Sequence, residues 1–299
     1  MQEKYKNPFE HLIAPGHTAC PGCGQLMSAR LVLDTCGPNT IIANATGCLE
    51  VTTTKYPTSS WKVPWVHSLF ENPSALASGI LAALKQKGLD KETNVVAFGG
   101  DGSTFDIGFG LISGMWERKE NILYICYNTE VYSNTGYQAS GATPFDANTT
   151  TTPPEKKSMG NNFLRKNMAE LAIASGCIYV AQTTCGYPND IINKVKKALT
   201  FTGPKYIEIL TTCVPGWGTE SEMTVQLGKL AHKTGIYPIF EYYDGEYKAM
   251  KIPAPALKVE EYLKYHKRFK HLFKDEKGKE AIAEIQKLAD KNIEKYNLS

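Results

Sequence analysis

Short apolar runs rich in β-branched and aromatic residues alternate along this chain with stretches of helical periodicity, and few folds tolerate that order. The runs are IIANA from Ile41, NVVAFGG from Asn94, NILYICYN from Asn121, CIYVAQ from Cys177 and KYIEIL from Lys205. They read as the strands of a parallel sheet. Between them lie amphipathic helices: Leu76, Ile80 and Leu84 recur every four residues after Pro73, as do Ile191, Val195 and Leu199 after Pro188. The expected class is α/β, a doubly wound parallel sheet, whose ligands bind at the carboxyl edge of the strands.

Two regions break the alternation. From Ala142 to Asn162 the chain reads ATPFDANTTTTPPEKKSMGNN, a polar loop of a length that is usually functional in a compact domain. From about Glu241 the strand pattern ends, and a Pro-Ala-Pro-Ala turn leads into a Lys-rich helical tail with Val259, Tyr262, Leu263 and Phe269 on one side. Residues 1–240 are therefore expected to form the site-bearing domain and 241–299 a C-terminal extension. That tail is either an arm that docks a further subunit or a helix packed on its own domain.

At 299 residues the chain can bury a core without external staples, so its eight cysteines need a reason other than stability. The N-terminal MQEKYKNPFEHLIAPGH has no apolar run suited to a signal peptide, and no later stretch reaches ~18 uninterrupted apolar residues. A cytoplasmic, reducing location without membrane attachment is expected, where free thiols, metal ligands and redox cysteines outnumber disulfides. The net charge of +3 is small for the length and no basic stripe is interleaved with aromatics, so nucleic acid is not an expected partner.

The first chemical signal is Gly99-Gly100-Asp101-Gly102, at the end of one expected strand and just before a helix. Glycines let a phosphate approach the backbone, the helix start offers free N–H groups, and Asp101 supplies a hard oxygen for a divalent cation. By itself Gly-Asp-Gly is also what a tight turn needs. A second strand ends in Asn128, followed by Thr129, Glu130, Val131, Tyr132, Ser133 and Asn134, so two strand ends would converge on one ion. Magnesium takes six oxygens, which a carboxylate, a hydroxyl, a carbonyl, two diphosphate oxygens and a water can supply. A Gly-Asp-Gly followed, one helix and one strand later, by Asn resembles the thiamine diphosphate signature.

The second signal is Cys20-Pro-Gly-Cys23, a pair that suits zinc, a redox dithiol or an iron–sulfur cluster. A thioredoxin-like role is weakened because the pair does not sit between strand and helix of a βαβ unit. Cys48 follows the IIANA strand and Cys213 follows KYIEIL, which places both at the same sheet edge as Asp101. Four thiolates suit zinc or a 4Fe–4S cluster. Cys36, Cys126, Cys177 and Cys185 read as small buried hydrophobes.

Asn128 to Gly136, N-T-E-V-Y-S-N-T-G, resembles the pyruvate:ferredoxin oxidoreductases, which usually carry D/N-T-E-V-Y-S-N-T-G-G-Q; Tyr137 stands here where the second glycine is common. Three further stretches resemble the β chains of the 2-oxoacid:ferredoxin oxidoreductase family: G-H-x-A-C-x-G-C-G from Gly16, A-x-x-T-G-C from Ala43, and T-x-C-x-P-G-W from Thr211. With the tail PAPALKVEEYLKYHKRFKHL, the likeness spans almost the whole chain. It implies a thiamine diphosphate-binding fold with a C-terminal helical tail, and residues 1–240 as the domain holding both cofactors. Magnesium would be ligated by the side chains of Asp101 and Thr129 and the carbonyl of Val131. Thr46, Gly47, Cys48, Gly100, Gly102, Ser103 and Asn134 would complete the thiamine diphosphate contacts, with Asn134 facing the thiazolium and substrate and Thr46 touching the ring. Cys20, Cys23, Cys48 and Cys213 would hold the 4Fe–4S cluster. A thiamine cofactor that leaves an electron-rich group on its substrate needs an electron acceptor, a role zinc cannot fill.

The implied reaction is reversible oxidative decarboxylation of pyruvate with coenzyme A to acetyl-CoA, CO₂ and reduced ferredoxin. Alternatives are another 2-oxoacid (branched-chain, aryl, 2-oxoglutarate or oxalate), or a non-redox thiamine decarboxylase or carboligase subunit with structural zinc. Activation of the aminopyrimidine needs a carboxylate from a second domain, so an α subunit is an expected partner, alongside ferredoxin-like δ and γ subunits and ferredoxin. Asn72 before Pro73 reads as a helix cap, and His67 as structural or, since its H-S-x-F-E stretch resembles that of related enzymes, as approaching the substrate. Lys156, Lys157, Arg165 and Lys166 flank the long loop as solvated charge or as holders of an anionic substrate or coenzyme A phosphates.

Overall fold

The computed structural model describes residues 11–299; the reading of the first ten residues lies outside them. One sheet of eight strands organises the chain: β1 (Thr40–Asn44), β2 (Trp65–His67), β3 (Asn94–Gly100), β4 (Leu123–Asn128), β5 (Tyr179–Thr184), β6 (Lys205–Leu210), β7 (Phe240–Tyr243) and β8 (Glu246–Ala249). Their spatial order is β2-β1-β3-β4-β6-β5-β7-β8. The first six pair in parallel, and β7 and β8 join antiparallel at one edge.

Alternate residues of each central strand enter opposite cores, as the pleat requires. Ile42, Val96, Phe98, Ile125 and Ile207 meet α1 (Gly24–Cys36) on one face. Ala43, Val95, Ala97, Tyr124 and Tyr206 meet the other face's helices. A short helix, α2 (Cys48–Thr53), follows β1, and α3 (Pro73–Lys87) precedes β3. The face that α3 buries runs through Ser74, Ala77, Leu81 and Leu84, with Leu76 and Ile80 only partly covered. Four residues advance a helix by about 400°, so a strict four-residue repeat drifts off the packed face. Next come α4 (Phe109–Glu117), α5 (Met168–Ala174) and α6 (Pro188–Ala198), the last packing Ile191, Val195 and Ala198 beside α1. Helices on both faces make the sheet doubly wound. Among the described residues no helix is long and apolar enough to cross a membrane.

The strand pattern does not end at Glu241. β7 and β8 form a hairpin through Asp244 and Gly245, both at positive φ, and β7 adds to β5. Beyond α7 (Val214–Trp217) and α8 (Thr224–Lys233), the tail folds back as α9 (Glu260–Leu263), a 3₁₀ turn over Lys267–Phe273 and α10 (Glu276–Lys295). Val259, Tyr262, Leu263 and Phe269 are fully buried in a third core with Trp217, Leu227 and Tyr237. The apolar side of the tail is thus occupied within this chain.

Tyr296, just past α10, stacks on Phe240 at 4.7 Å and 12°, and its hydroxyl meets Asn167 and Glu170, each at 3.0 Å. Tyr296→Ala should therefore destabilise the protein by roughly 3–5 kcal/mol through the cavity it leaves. Denaturant titration checks this; an unchanged midpoint would show the tail does not clamp the edge hairpin.

Candidate active site

Three adjacent parallel strands deliver their carboxyl ends to one edge. β1 runs into Thr46-Gly47 and α2, β3 into Asp101 and a π-helical turn (Gly102–Ile107), and β4 into the turn after Asn128. Between them lies a cavity of about 360 Å³. Thr46, Gly47, Cys48, Gly100, Asp101, Gly102, Thr129, Val131 and Asn134 all line it. Ser103 does not: it is fully buried, and its hydroxyl has no partner.

Asp101 lies at the floor, 1% exposed. Its Oδ1 accepts from the Thr129 amide at 3.1 Å and the Thr129 hydroxyl at 2.9 Å, and Ser140 donates to Oδ2 at 2.5 Å. The Thr129 hydroxyl is also 3.0 Å from the Val131 carbonyl. The Thr129 hydroxyl thus stands from each of the other two oxygens at about the edge length, ~3.0 Å, of an octahedron with ~2.1 Å bonds. The donor set, one carboxylate, one hydroxyl and one carbonyl, suits a hard divalent cation. Burial pushes the Asp101 carboxyl up to about 7, against the lowering effect of its Ser140 and Thr129 hydrogen bonds.

The glycines have different reasons. A Cβ on Gly99 would come within 2.2 Å of the Tyr124 hydroxyl, and one on Gly102 within 1.8 Å of the Tyr132 ring. Packing of the chain's own tyrosines thus requires both, a reason the motif did not reveal. Gly47 has φ +156 and ψ −169, a conformation nearly confined to glycine, and a Cβ there would meet nothing within 4 Å. It leaves the cavity wall bare.

Cys20, Cys23, Cys48 and Cys213 line a second cavity of about 230 Å³. Gln25, Cys48, Thr129, Ser133 and Asn134 line both cavities, and Cys48 Sγ lies 3.8 Å from Asn134 Oδ1. Local sequence explains the convergence: a Cβ on Gly24 would come within 2.6 Å of Thr212 N, so glycine lets α1 start against the end of β6, where Cys213 follows. Burial raises the Cys23 and Cys213 thiols and pushes Cys48 up to about 12, with the neighbouring thiols adding to each. Such thiols stay protonated until a cationic centre takes them as thiolates. Among the described residues no three His, Cys, Asp or Glu side chains meet closely enough to hold a single metal ion. Four thiols spread around a cavity suit a polyatomic group.

Several neighbours escaped sequence reading. Tyr132 covers Gly102 and donates to Asp106 at 2.7 Å, and Ser140 reaches Asp101 from just ahead of the long loop. Tyr127 lines the first cavity with a buried hydroxyl that has no partner. Thr46 Oγ1 is 2.7 Å from His67 Nε2, which ties β2 to the site. Tyr137 adopts φ +66, so this position does take a glycine-like conformation, and its ring stands at Gly216 in the thiol cavity. Asn72 caps less than expected: its Oδ1 accepts from Leu69 N at 3.0 Å, behind the helix. Arg165 and Lys166 are engaged within the chain, pairing with Glu130 at 3.4 Å and Asp106 at 2.9 Å, whereas Lys156 and Lys157 are exposed.

Residues 45–209 match the C-terminal TPP-binding domain of thiamine pyrophosphate enzymes. Pyruvate synthase subunit PorB of Methanosarcina barkeri is 50% identical, over 96% of this chain and 97% of its own. The subunit of that name from Methanocaldococcus jannaschii is 48% identical, over 97% and 98%. Among solved structures, the 2-oxoglutarate:ferredoxin oxidoreductase of Magnetococcus marinus matches with a TM-score of 0.62, covering 92% of this chain and 95% of that one at 22% identity, which shows the shared fold.

The raised Asp101 carboxyl makes a signed expectation. Between the ordinary aspartate range and about 7 the folded state binds more protons than the unfolded one, so stability falls as pH rises through that window. In chelator, Asp101→Asn should melt several degrees above the wild type at pH ~8 and close to it at pH ~5. Parallel melting profiles for the two proteins would show that Asp101 is not a buried charge awaiting a cation.

Proposed function

This chain belongs to the family of pyruvate synthase PorB subunits, oxidoreductase subunits with a thiamine pyrophosphate-binding domain, and from that premise we propose that it is the β subunit of a pyruvate:ferredoxin oxidoreductase, holding thiamine diphosphate with Mg²⁺ beside a 4Fe–4S cluster. Pyruvate is the proposed substrate because the relatives that match it end to end carry that name. The observation that carries the reading is the wall common to the two cavities, in which Cys48 and Asn134 stand 3.8 Å apart.

Asp101, Thr129 and the Val131 carbonyl would hold the Mg²⁺, and the backbone of Gly100 and Gly102 with the π-helical turn would receive the diphosphate. Ser103 belongs to that turn but serves through its backbone, its side chain being buried away from the cavity. Thr46 and Asn134 face the reacting end, with His67 fixing the Thr46 hydroxyl. Thiamine diphosphate supplies the electron sink for decarboxylation, and the cluster accepts electrons. Cys20, Cys23, Cys48 and Cys213 would ligate it, and Cys20, the exposed member, marks the side from which electrons leave toward ferredoxin-like partners.

Among the described residues Asp101 is the one carboxylate lining the first cavity, and it would be committed to the cation. The group that activates the aminopyrimidine would therefore come from an α subunit closing over the strand edge. Oxygen-sensitive thiolate ligation fits a reducing cytoplasm. The purified chain alone should bind Mg²⁺ with thiamine diphosphate yet not turn over pyruvate. Turnover by the isolated chain would refute the need for a partner.

The assignment is tested by anaerobic purification with its partners, iron and sulfide analysis, and EPR before and after pyruvate. About four iron and four sulfide per chain, with a pyruvate-dependent signal, are expected. Cys48→Ser should lose the iron while keeping Mg²⁺-dependent thiamine diphosphate binding. Zinc in place of iron, with no pyruvate-dependent signal, would sink the redox reading.

A further inference from the structure

Glu130 stands between the two expected Mg²⁺ ligands Thr129 and Val131, and it is an unusual residue for that place. It is 1% exposed, carries a carboxylate, and adopts φ +60, a conformation that side-chain-bearing residues adopt only under strain. The kink at Glu130 is what sets the Thr129 hydroxyl and the Val131 carbonyl 3.0 Å apart on the Asp101 side of the turn. Glycine would take that conformation freely. A glutamate must be held there.

What holds it comes from the C-terminal tail. Arg268 Nη2 pairs with Glu130 Oε2 at 2.6 Å, with both side chains 1% exposed. Arg165 is a second cation at 3.4 Å, its side chain 26% exposed and also bound to the Ile236 carbonyl. The Arg268 guanidinium lies 4.2 Å from the centre of the Trp217 ring and 5.1 Å from that of Phe269. Among the described residues its Nε and Nη1 find no acceptor, so the aromatic faces are their principal contact there. Trp217 in turn donates its indole N–H to the Thr129 carbonyl at 2.7 Å. One guanidinium therefore braces Thr129 from two directions, through the carboxylate of the next residue and through the indole bonded to its carbonyl.

We propose that Arg268 is a positioning residue for the metal-binding turn: by anchoring Glu130 and backing Trp217, it keeps the Thr129 hydroxyl and Val131 carbonyl facing Asp101. The inference rests on the Mg²⁺–thiamine diphosphate reading of the first cavity. Arg268 touches neither cofactor nor substrate. Removing it leaves the Glu130 carboxylate buried with only its distant second cation, and the turn free to relax out of positive φ.

The readout is the Mg²⁺ concentration needed for thiamine diphosphate binding, followed by calorimetry on the intact complex, with circular dichroism confirming the fold. Arg268→Met should raise that requirement about 10–100-fold, as loss of an outer support to a metal ligand does. Adding Glu130→Gly should restore most of it, because glycine holds the kink without an anchor and no charge is left buried. A role confined to tail packing would not be rescued that way. Wild-type Mg²⁺ dependence in Arg268→Met, or a double variant as impaired as the single, overturns the proposal. If Arg268→Met does not fold, Glu130→Gln/Arg268→Met buries no charge and is read instead: a raised Mg²⁺ requirement supports the proposal and an unchanged one overturns it. Thiamine diphosphate binding by the wild type that ignores Mg²⁺ would overturn the metal site itself and this inference with it.

Discussion

A carboxylate buried at the end of a parallel strand is the constraint on which the rest of this site depends. Asp101 receives hydroxyl and amide hydrogen bonds, and these leave its carboxyl pushed up to about 7. Hydrogen bonds alone do not compensate the lost hydration. A divalent cation would, and the Thr129 hydroxyl that donates to the carboxylate, with the Val131 carbonyl beside that hydroxyl, are oxygens that a cation could share. The register of the sheet makes this possible: Gly100 pairs with Tyr127, so the residues just beyond each strand emerge side by side. A slip of that register would separate the carboxylate from the turn.

The second consequence of strand order is the common wall. β4 lies between β3 and β6, so the turn after β4 borders both the Asp101 cavity and the Cys213 side. Thr129, Ser133 and Asn134 consequently serve two cavities at once. Trp217 sits in the helix that Cys213 begins and bonds the Thr129 carbonyl, so that helix and the turn after β4 are joined directly.

Much of this could be read from residue order. β3 and β6 match their apolar runs to the residue, and β1, β4 and β5 match theirs within two, because strands covered on both faces are continuous in hydrophobicity. β2 has three residues and little periodicity to read. The edge hairpin is charged and half exposed, but its Asp244-Gly245 turn was a usable signal that the strand pattern continued. The start of α1 hid behind the cysteine motif, since its N-cap, Cys23, makes no side-chain capping bond. At the site, the residues next to strand ends were legible. Those that reach in from elsewhere were not: Ser140 lies 39 positions from Asp101, Trp217 lies 88 from Thr129, and Arg268 lies 138 from Glu130. Local patterning carries no record of such pairings.

Those distant contacts explain how the turn after β4 keeps a shape its sequence does not favour. Glu130 and Tyr137 both sit at positive φ without being glycine. Each is secured from outside: Glu130 by Arg268 and by Thr143, whose hydroxyl donates to its carbonyl at 2.7 Å, and Tyr137 by Thr150, whose amide donates to its carbonyl at 3.1 Å. Thr143 and Thr150 belong to the polar loop from Ala142 to Asn162, which has no helix or strand yet is pinned internally by Asn161 donating to the Thr143 carbonyl at 2.9 Å. The loop and the tail thus act as a mould around a strained turn. Under the proposed function, strain held in this way would fix the ligand oxygens before a cation arrived, so that binding would not have to order the turn as well.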